Sequence, residues 1–560
     1  MSDTSATSEA EDPYQLILKS LVHKDWPVAE LCAFVLHLQE QHTALDMDKV
    51  LFIASIFSNK NQCMPIVQYL VRECGAKVVP ISSRRANAVL HAVICNRRNR
   101  TDIVEFLFRE GNALPYIDAF GPHGYTPLHL AVRQGFAPMV ELLIRYGANV
   151  NQVHKTSRKT PLFMACAQNN LHLCRILLEQ GHADPNATGR FVPLVHASDK
   201  GHYEIVQYLL QQPNMDVSKA QFASRMSALH VVCKKGQLRM VRLLIEEGGA
   251  NVEQVDRHGN TALLSACLPD SKSNLDVVRY LVETAKANLH ARNKEGWTVF
   301  LLSCFHPSDN HQVFRYLFLD VAPRVNLLAD DDEENLGVNP LTGKNALHVM
   351  NRRCLHYKMR LLLAHRAGQR YAHMTDKEGR TPLHYAVQRG ETPCRILLQG
   401  RMSLLNHRDH QGRTPLYAAC QRHRCAAVEY LVVQCGAQVN GTQNSRATGD
   451  TILHVAVRRA IEELGRKFGT YFYDYLKPPA HRSYFPKLRK VHILVDQGHA
   501  NIVDVNHLNE TCLNLVENSA PRESYGKRQL YNYLHSTQNN RVHSLVHYLN
   551  STFDWFNSSI

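Results

Sequence analysis

Histidine and cysteine are the residue types in this chain best suited to metal binding or catalysis, and it contains 32 histidines and 15 cysteines. His543 and His547 are four residues apart, a spacing that places two imidazoles on one helix face, as in zinc sites. No further ligand is arranged near them, so a solvated helix surface is the simpler interpretation. The cysteines are scattered singly without a C-x-x-C pair, which is typical of buried reduced thiols.

The sequence contains none of the short motifs that mark common catalytic sites. The motifs H-E-x-x-H, G-x-S-x-G and G-x-x-x-x-G-K-S/T do not occur, nor do those of protein kinases. Cys420 and Cys425 are the closest two cysteines, and Cys420 is better explained as a core residue than as a nucleophile. We therefore expect no catalytic residue, no metal site and no cofactor, in a protein that is not an enzyme.

Between residues 460 and 490 the sequence combines positive charges with aromatic rings. This combination suits phosphate contact with base stacking, and equally a hot spot for a protein partner. In the alternative interpretation, the rings pack the segment onto adjacent helices and the cations keep it soluble. The candidate partner-binding residues in this segment are Tyr471, Phe472, Tyr473, Lys487 and Arg489.

The composition is that of a folded protein with an excess of positive charge. Apolar residues make up 44% and charged residues 20%, which is enough for a core and excludes wholesale disorder. No apolar run approaches the roughly 18 to 20 residues of a membrane span, and the N-terminus has no signal-peptide core, so we expect a cytoplasmic or nuclear protein. Lys and Arg number 64 against 50 Asp and Glu, a net charge of +14 that favours an acidic partner.

The elements that must position any site are short helices in pairs, and residues 124–151 show one pair clearly. Thr126 is suited to cap the first helix, and Pro127 to occupy its first position, where the absent N–H is not needed. Leu128 begins an apolar face, and Gly135 follows the helix where a left-handed C-cap favours glycine. A second apolar stripe comes next. One such pair cannot bury both of its faces, so it must stack on others.

The same phrase recurs along most of the chain. Variants such as KTPLFMAC, MSALHVVC, RTPLHYAV and DTILHVAV place an apolar residue at the position of Leu128. The equivalent residues are Leu90, Leu162, Leu194, Leu229, Leu263, Phe300, Leu347, Leu383, Leu416, Leu453 and Leu513. Successive copies are 32 to 38 residues apart, except for steps of 47 and 60 residues, which indicate insertions.

With this period the sequence resembles the ankyrin-repeat family over about residues 48–518. The segments DKEGRTPLHYA, DHQGRTPLYA and DRHGNTALLSA contain both its Asp-x-x-Gly hairpin and its first-helix phrase. The resemblance implies an all-α solenoid of about 12 helix-turn-helix repeats with short hairpin loops, insertions and a C-terminal helical cap. It also implies that the threonines cap the first helices and that the histidines bond toward that cap and the neighbouring hairpin. The repeat-motif residues are Thr126, Pro127, Leu128, His129, Thr381, Pro382, Leu383, His384, Thr414, Pro415 and Leu416.

The repeats, insertions and ends define the expected domain organisation. The 47-residue step contains DDDEE at residues 330–334, whose like charges favour an exposed loop. The helical spacing near the C-terminus would close the stack. We expect a disordered acidic tail at 1–12, an N-terminal helical cap or degenerate repeats at 13–80, repeats at 81–322, an acidic insertion loop at 323–343, repeats at 344–518 with the basic-aromatic insertion at 460–490, and a C-terminal helical cap at 519–560.

The resemblance implies that partners bind to the hairpin tips and to the concave face of the first helices. The tip residues are Arg257, His258, Lys294, Glu295, Lys377, Glu378, His410 and Gln411, which are also explained as plain solubility residues. We expect a non-enzymatic scaffold or adaptor that binds a protein partner. One alternative is a substrate-recognition subunit of a ubiquitin ligase, although neither end contains a recognisable adaptor box. The other is a binder of nucleic acid or an acidic protein through the insertion at 460–490.

Overall fold

In the computed structural model the chain consists of short helices joined by turns. The structure describes residues 13, 15–17, 28–41, 46–57, 63–78, 88–95, 100–121, 123–187, 191–271, 274–305, 312–323, 337–351, 356–422, 425–440, 449–466, 489–502, 504–506, 508, 510–518, 530–532 and 534–539. Within these residues no β-strand occurs, and two isolated bridges, Ala220–Ser227 and Val338–Asn345, pair extended backbone. None of the described helices is both long enough and apolar enough to cross a membrane.

Three of the predicted segments lie wholly or largely outside the described residues. They are the tail at 1–12, residues 324–336 of the acidic insertion and residues 467–488 of the basic-aromatic insertion. In the predicted C-terminal cap, residues 530–532 and 534–539 are helical, and Leu530 and Leu534 are buried.

The described helices belong to two compact units. The first unit comprises Met1–Ala266 and Ser271–Asn288, and the second comprises Cys267–Asp270 and Leu289–Ile560. The α-helices of the first unit are Val28–Gln41, Met47–Phe57, Cys63–Arg72, Ala88–Cys95, Thr101–Arg109, Pro127–Gln134, Ala137–Arg145, Pro161–Ala167, Leu171–Arg175, Pro193–Lys200, Tyr203–Leu210, Ala228–Lys235, Leu238–Arg242, Ala262–Ala266 and Leu275–Glu283. Those of the second unit are Val299–Phe305, Gln312–Arg315, Ala346–Asn351, His356–Ala364, Arg366–His373, Pro382–Ala386, Glu391–Leu398, Pro415–Cys420, Cys425–Glu429, Ile452–Arg466, Arg489–His492 and Cys512–Asn518.

Each repeat begins with a hairpin loop, which we call a finger, followed by a first and a second helix. In the repeat at 124–151 the Thr126 hydroxyl accepts a hydrogen bond from the His129 backbone N–H at 3.4 Å, and Pro127 occupies the first turn. Gly135 ends this helix with a φ of 80°, a left-handed conformation that glycine adopts without strain. The second helix, Ala137–Arg145, buries an apolar stripe against the first.

The leucine position of the first helix forms the core of each stack. From Leu90 to Leu453 all eleven residues at this position are at most 2% exposed, whereas Leu513, in the last of these helices, is only half-buried. Successive first helices pack on one another, and each second helix covers the first helix of its own repeat. The helix pairs therefore bury apolar faces that none of them could bury alone.

Replacing Leu383 by alanine is expected to destabilise the second unit by about 2 to 5 kcal/mol, because the leucine side chain is fully buried and its loss leaves a cavity. The change is measurable by urea denaturation, with hydrogen exchange locating the loss in the repeats next to Pro382–Ala386. Met402→Ala is a matched control, since Met402 is 51% exposed and its loss should change stability by less than about 0.5 kcal/mol. Equal effects of the two substitutions would contradict this account of the core.

The ends of the second helices differ from a regular α-helix. Five of them finish with a π-helical turn, at Ile176–Gln180, Leu243–Glu247, Tyr316–Val321, Tyr430–Gln434 and Ile493–Gln497. In the first of these, the N–H of Gly181 donates to the carbonyl of Ile176 at 3.1 Å, and the N–H of Ala183 donates to that of Leu177 at 2.9 Å. These bonds satisfy carbonyls at the helix end and direct the chain toward the next finger.

One repeat of the second unit contains an additional helix, Arg366–His373, between its second helix and the next finger. Ala367, Gly368, Tyr371 and Ala372 form its buried face. Gly368 lies against the carbonyl of Leu362, so any larger residue would collide with that backbone.

Candidate binding surface

In six repeats a histidine of the first-helix phrase links the repeat to the next one. Its Nε2 lies within hydrogen-bond distance of a backbone carbonyl, and that carbonyl always belongs to the residue just before the next first helix's cap. The pairs are His91 with Tyr125 at 2.8 Å, His129 with Lys159 at 3.1 Å, His230 with Asn260 at 2.8 Å, His348 with Arg380 at 2.9 Å, His384 with Arg413 at 3.1 Å, and His454 with Glu510 at 2.8 Å. We call these six residues the linking histidines.

The hydrogen bonds assign the tautomer of these side chains. The backbone N–H of Thr381 donates to Nδ1 of His384 at 3.2 Å, so the proton is on Nε2, which donates to the carbonyl of Arg413. Burial lowers the pKa of His129, His348 and His384 to about 4. The linking histidines with this lowered pKa are therefore neutral structural groups at pH 7, and neither nitrogen is free to bind a metal.

A buried aspartate organises each well-formed finger. Oδ1 of Asp409 accepts hydrogen bonds from the backbone N–H groups of Gln411 at 3.0 Å and Arg413 at 2.9 Å. Asp376 does the same for its own finger, and its Oδ2 also accepts from the Tyr385 hydroxyl at 2.6 Å. Since these acceptors satisfy the turn from inside, the tip side chains are not needed to hold its shape.

All eight predicted tip residues are exposed. Neighbouring fingers are joined through the backbone at these tips. In the second unit the N–H of Lys377 donates to Thr342 at 3.0 Å, and the N–H of His410 donates to Glu378 at 3.0 Å. In the first unit the N–H of Arg257 donates to Ser224 at 3.0 Å. The structure thus brings Lys377, Glu378, His410 and Gln411 together as one row.

The remaining tip residues belong to other fingers. Arg257 and His258 lie on a finger of the first unit, next to the finger that contains Ser224. Lys294 and Glu295 lie on a finger of the second unit, where a Glu295 carboxylate oxygen accepts from the Trp297 indole at 3.1 Å. The Asn339 side-chain amide donates to the Glu295 carbonyl at 2.8 Å, which ties this finger to the next one.

Sequence reasoning missed residues at the base of the fingers, where cations lie over aromatic rings. Lys344 Nζ lies 5.2 Å and the Arg380 guanidinium 5.6 Å from the centre of the Tyr385 ring. In the first unit, Arg133 lies 5.2 Å from the ring centre of Tyr125. Lys344, Arg380 and Tyr125 each immediately precede the cap of a first helix. This fixed position relative to the Thr-Pro-Leu-His phrase is the signal that could have identified them.

A second missed residue is Phe222, in the finger of the first unit that lacks the Asp-Gly hairpin. Its side chain is 85% exposed. The finger closes through a hydrogen bond from the Gln221 N–H to the Met226 carbonyl at 3.0 Å, with the Ala220–Ser227 bridge at its base. The sequence of residues 213–226 lacks the Asp-Gly hairpin, and the described turn places an aromatic ring in solvent at its tip.

Of the predicted partner-binding residues in the 460–490 insertion, only Arg489 is described. Tyr471, Phe472, Tyr473 and Lys487 lie outside the described residues. Arg489 begins the helix Arg489–His492 and forms an ion pair with Glu429 of the preceding repeat, with Nη2 2.7 Å from the carboxylate. Because both side chains are more than a third exposed, this pair contributes at most about 1 kcal/mol.

The cysteines and acidic groups of the described part form no chemical site. No three His, Cys, Asp or Glu side chains there are grouped so as to hold a metal ion. Cys420 is fully buried, and desolvation raises the pKa of its thiol to about 12, so it is a protonated core residue at pH 7. His543 and His547 lie outside the described residues.

Stacked helix pairs that carry a row of hairpin fingers define a class of interaction protein. A comparison with protein families shows which family of this class the chain belongs to. The model of the family "Ankyrin repeats (3 copies)" matches residues 51–154, 150–221, 194–293, 229–327 and 356–443. Together these matches cover more than half of the chain, and the chain belongs to the ankyrin repeat family. Ankyrin repeats act in protein–protein interaction, which sets the general class of function.

Several known proteins share this repeat region. An ankyrin repeat and KH domain-containing protein of Caenorhabditis briggsae is 32% identical over 173 residues, which are 30% of this chain and 6% of that protein. The rice (Oryza sativa subsp. japonica) protein named "Probable E3 ubiquitin-protein ligase XBOS33" is 33% identical over 117 residues, 20% of this chain and 22% of that protein. The crystal structure of the ankyrin repeat domain of Bcl-3 has a TM-score of 0.36 and 26% identity, and covers 41% of this chain and 96% of that one. The chain covers less than a third of the length of its curated relatives.

Proposed function

We propose that this protein is a non-enzymatic scaffold or adaptor that holds a protein partner against its fingers and first helices. The observation that carries the proposal is the exposure of all eight tip residues on fingers whose backbone is held by buried acceptors such as Asp376 and Asp409. A binding surface whose frame is already ordered loses less entropy when a partner docks. The exposed side chains are then available for recognition, because the turn does not depend on them.

The polar chemistry of the described residues supports binding more than catalysis. Both ring nitrogens of a linking histidine are hydrogen-bonded within the protein. In His384, Nδ1 accepts from the Thr381 N–H and Nε2 donates to the Arg413 carbonyl. Burial raises the pKa of the Cys420 thiol, which disfavours a nucleophilic role for this residue. We also propose a cytoplasmic or nuclear location, because the 14 described cysteines are not joined in disulfides, as expected in a reducing compartment.

Cross-linking of the full chain in native extract, followed by mass spectrometry, tests this function. A variant with Arg257, His258, Lys377 and His410 all changed to alanine should lose at least about 90% of its stoichiometric protein partner, since these side chains are exposed on fingers. A control with Arg145 and Arg360 changed to alanine alters exposed residues of the second helices and should retain the partner. Recovery of no stoichiometric partner by a folded bait, or equal loss in both variants, would overturn the proposal.

A more specific role within this class is substrate recognition for a ubiquitin ligase. The name of the rice relative favours it, although that similarity spans only 117 residues. Co-purification of the full chain with a ubiquitin ligase core, and loss of ubiquitination of a cross-linked partner when the chain is removed, would support this role. Binding through the 460–490 insertion, with Tyr471, Phe472, Tyr473 and Lys487, stays a prediction that the same experiment addresses by deletion of that segment.

A further inference from the structure

The positive charge of the chain is concentrated in a short part of the second unit. Residues 344–424 contain 16 Lys and Arg and 4 Asp and Glu, a net charge of +12 within a chain whose total is +14. The other 479 residues of the chain, about six times as many, carry only the remaining +2. An acidic molecule that approaches the protein is therefore attracted chiefly to these repeats.

The four acidic residues of this part are all engaged within the protein. Asp376 and Asp409 are buried in their fingers, where they accept backbone hydrogen bonds. Glu378 pairs with Arg380, and Glu391 with Arg395. Their carboxylates consequently neutralise few of the other cations nearby.

Several cations of these repeats face the same side as the fingers. Lys344 and Arg380 lie at the base of two neighbouring fingers, and both are within 6 Å of the centre of the Tyr385 ring. Lys377 is exposed at the tip of a finger that is joined to the next finger by the bond from the His410 N–H to Glu378. The fingers of this part therefore present positive charge both at their tips and at their bases.

Arg389 and Arg422 extend this surface to the ends of the first helices. Both are exposed, and each lies eight residues after the cap threonine of its repeat. In the first unit the residues at that position reach back toward the preceding first helix: Gln168 donates to the carbonyl of Arg133 at 2.9 Å, and Lys235 lies 2.7 Å from Asp199. Position 389 and position 422 thus belong to a row of helix ends that runs from repeat to repeat.

We propose that this basic surface, formed by Lys344, Lys377, Arg380, Arg389, His410 and Arg422, binds an acidic segment of a partner polypeptide. The proposal rests on the proposed scaffold function and names the chemistry of the partner. Lys377, Arg389 and Arg422 have no carboxylate within 4 Å among the residues that the structure describes, and carboxylates of a partner would supply one. Arginine favours this role because its planar guanidinium binds a carboxylate through two hydrogen bonds.

A polypeptide fits this surface better than a nucleic acid does. The one aromatic ring at its centre, Tyr385, has Lys344 and Arg380 over it and its hydroxyl bonded to Asp376, so it is not open for base stacking. Glu378 is exposed between the cations and would repel a continuous phosphate backbone. Discrete carboxylates can pair with the individual cations and avoid that residue.

Fluorescence anisotropy of the full chain with a labelled 15-residue poly-glutamate peptide tests the proposal. Lys377→Glu with Arg389→Glu should weaken peptide binding at least about tenfold at 0.15 M salt, because two attractive contacts become repulsive. Arg360→Glu with Arg366→Glu is the matched control, since it makes the same change of net charge in the preceding repeat but on exposed residues of the second and additional helices. This control should change affinity less than about threefold at the same ionic strength.

Three results would overturn the acidic-segment proposal: no binding of the peptide to the wild-type chain, equal weakening in both variants, or tighter binding of a 15-nucleotide single-stranded DNA that only the Lys377/Arg389 variant loses. The last result would assign the surface to nucleic acid. Repeating the cross-linking experiment with the Lys377/Arg389 variant separates this proposal from the scaffold function. If the peptide test fails and the Lys377/Arg389 variant still keeps a partner that is lost on changing Arg257 and His258, the scaffold function stands while the acidic-segment proposal fails.

Discussion

Lowering the pH from 7 to 5 is expected to destabilise the second unit by about 4 kcal/mol and the first by about 2 kcal/mol through three linking histidines. His348 and His384 lie in the second unit and His129 in the first. Each has a pKa of about 4, and the main cause is burial, which disfavours the charged imidazolium. Protonation of Nδ1 would also direct an N–H at the N–H of the cap residue, as in the contact from Thr381 to His384 at 3.2 Å.

The direction of the effect follows from where each state binds protons. In the unfolded chain a histidine has a pKa of about 6.5, whereas in the folded protein these three have a pKa of about 4. Above pH 6.5 both states are neutral and the full stability is present. As the pH falls from 6.5 toward 4 only the unfolded state takes up these protons, so each pH unit removes about 1.4 kcal/mol per histidine.

Urea denaturation between pH 7.5 and 5, with hydrogen exchange reporting each unit separately, measures this dependence. In His384→Gln the slope of unfolding free energy against pH should lose the contribution of about one proton in the second unit. The slope of the first unit should stay unchanged and serves as the internal control. The absolute stability of the variant at pH 7 does not enter the comparison. An unchanged slope in the second unit would show that His384 titrates alike in both states.

The first helices and their links were predictable from the sequence because their determinants are local. A threonine cap, a proline in the first turn and a histidine three residues after the cap stand within four positions of one another. Helices begin at Pro127, Pro382 and Pro415, directly after their cap threonines, and His129 and His384 bond to both the cap and the next finger. The family comparison confirms the ankyrin fold that these phrases indicate.

Other features depend on contacts between distant residues and could not be predicted. A stripe of leucines has nearly the same spacing in an α-helix and in a single π-helical turn. The sequence therefore does not distinguish a π-helical end such as Ile176–Gln180 from a continued α-helix. The additional helix Arg366–His373 requires the close approach of Gly368 to Leu362, which no local pattern encodes.

The position of the positive charge illustrates the same limit for the binding surface. The net charge of residues 344–424 is visible in the sequence, but these cations occur on fingers, first helices and second helices alike. The folded repeats place Lys377 at a finger tip, Arg389 just after a first helix and Arg360 in a second helix. The tip residues were predicted as candidates, whereas Lys344, Arg389 and Arg422 were not.

Asp409→Ala is expected to destabilise the second unit by about 2 to 4 kcal/mol, because it removes the buried carboxylate of an ion pair whose arginine is only partly exposed. Asp409 is 5% exposed, and its Oδ2 lies 2.7 Å from Nη2 of Arg413. The substitution also leaves the part-buried backbone N–H groups of Gln411 and Arg413 without their acceptor, which adds to the loss. The finger that carries His410 should then lose its fixed shape.

Three further variants separate the contributions of this aspartate. Asp409→Asn keeps an oxygen for the two backbone N–H groups and loses only the ion pair, so it should cost less than alanine at the same position. Asp409→Ala combined with Arg413→Ala should cost less than the sum of the two single changes by about 1 to 3 kcal/mol, since the unpaired guanidinium is removed as well. Gln411→Ala, at an exposed tip, should change stability by less than about 0.5 kcal/mol. If Asp409→Ala were as mild as Gln411→Ala, the finger would be held by its packing rather than by this carboxylate, and its tip would lack the fixed frame on which partner binding is proposed to depend.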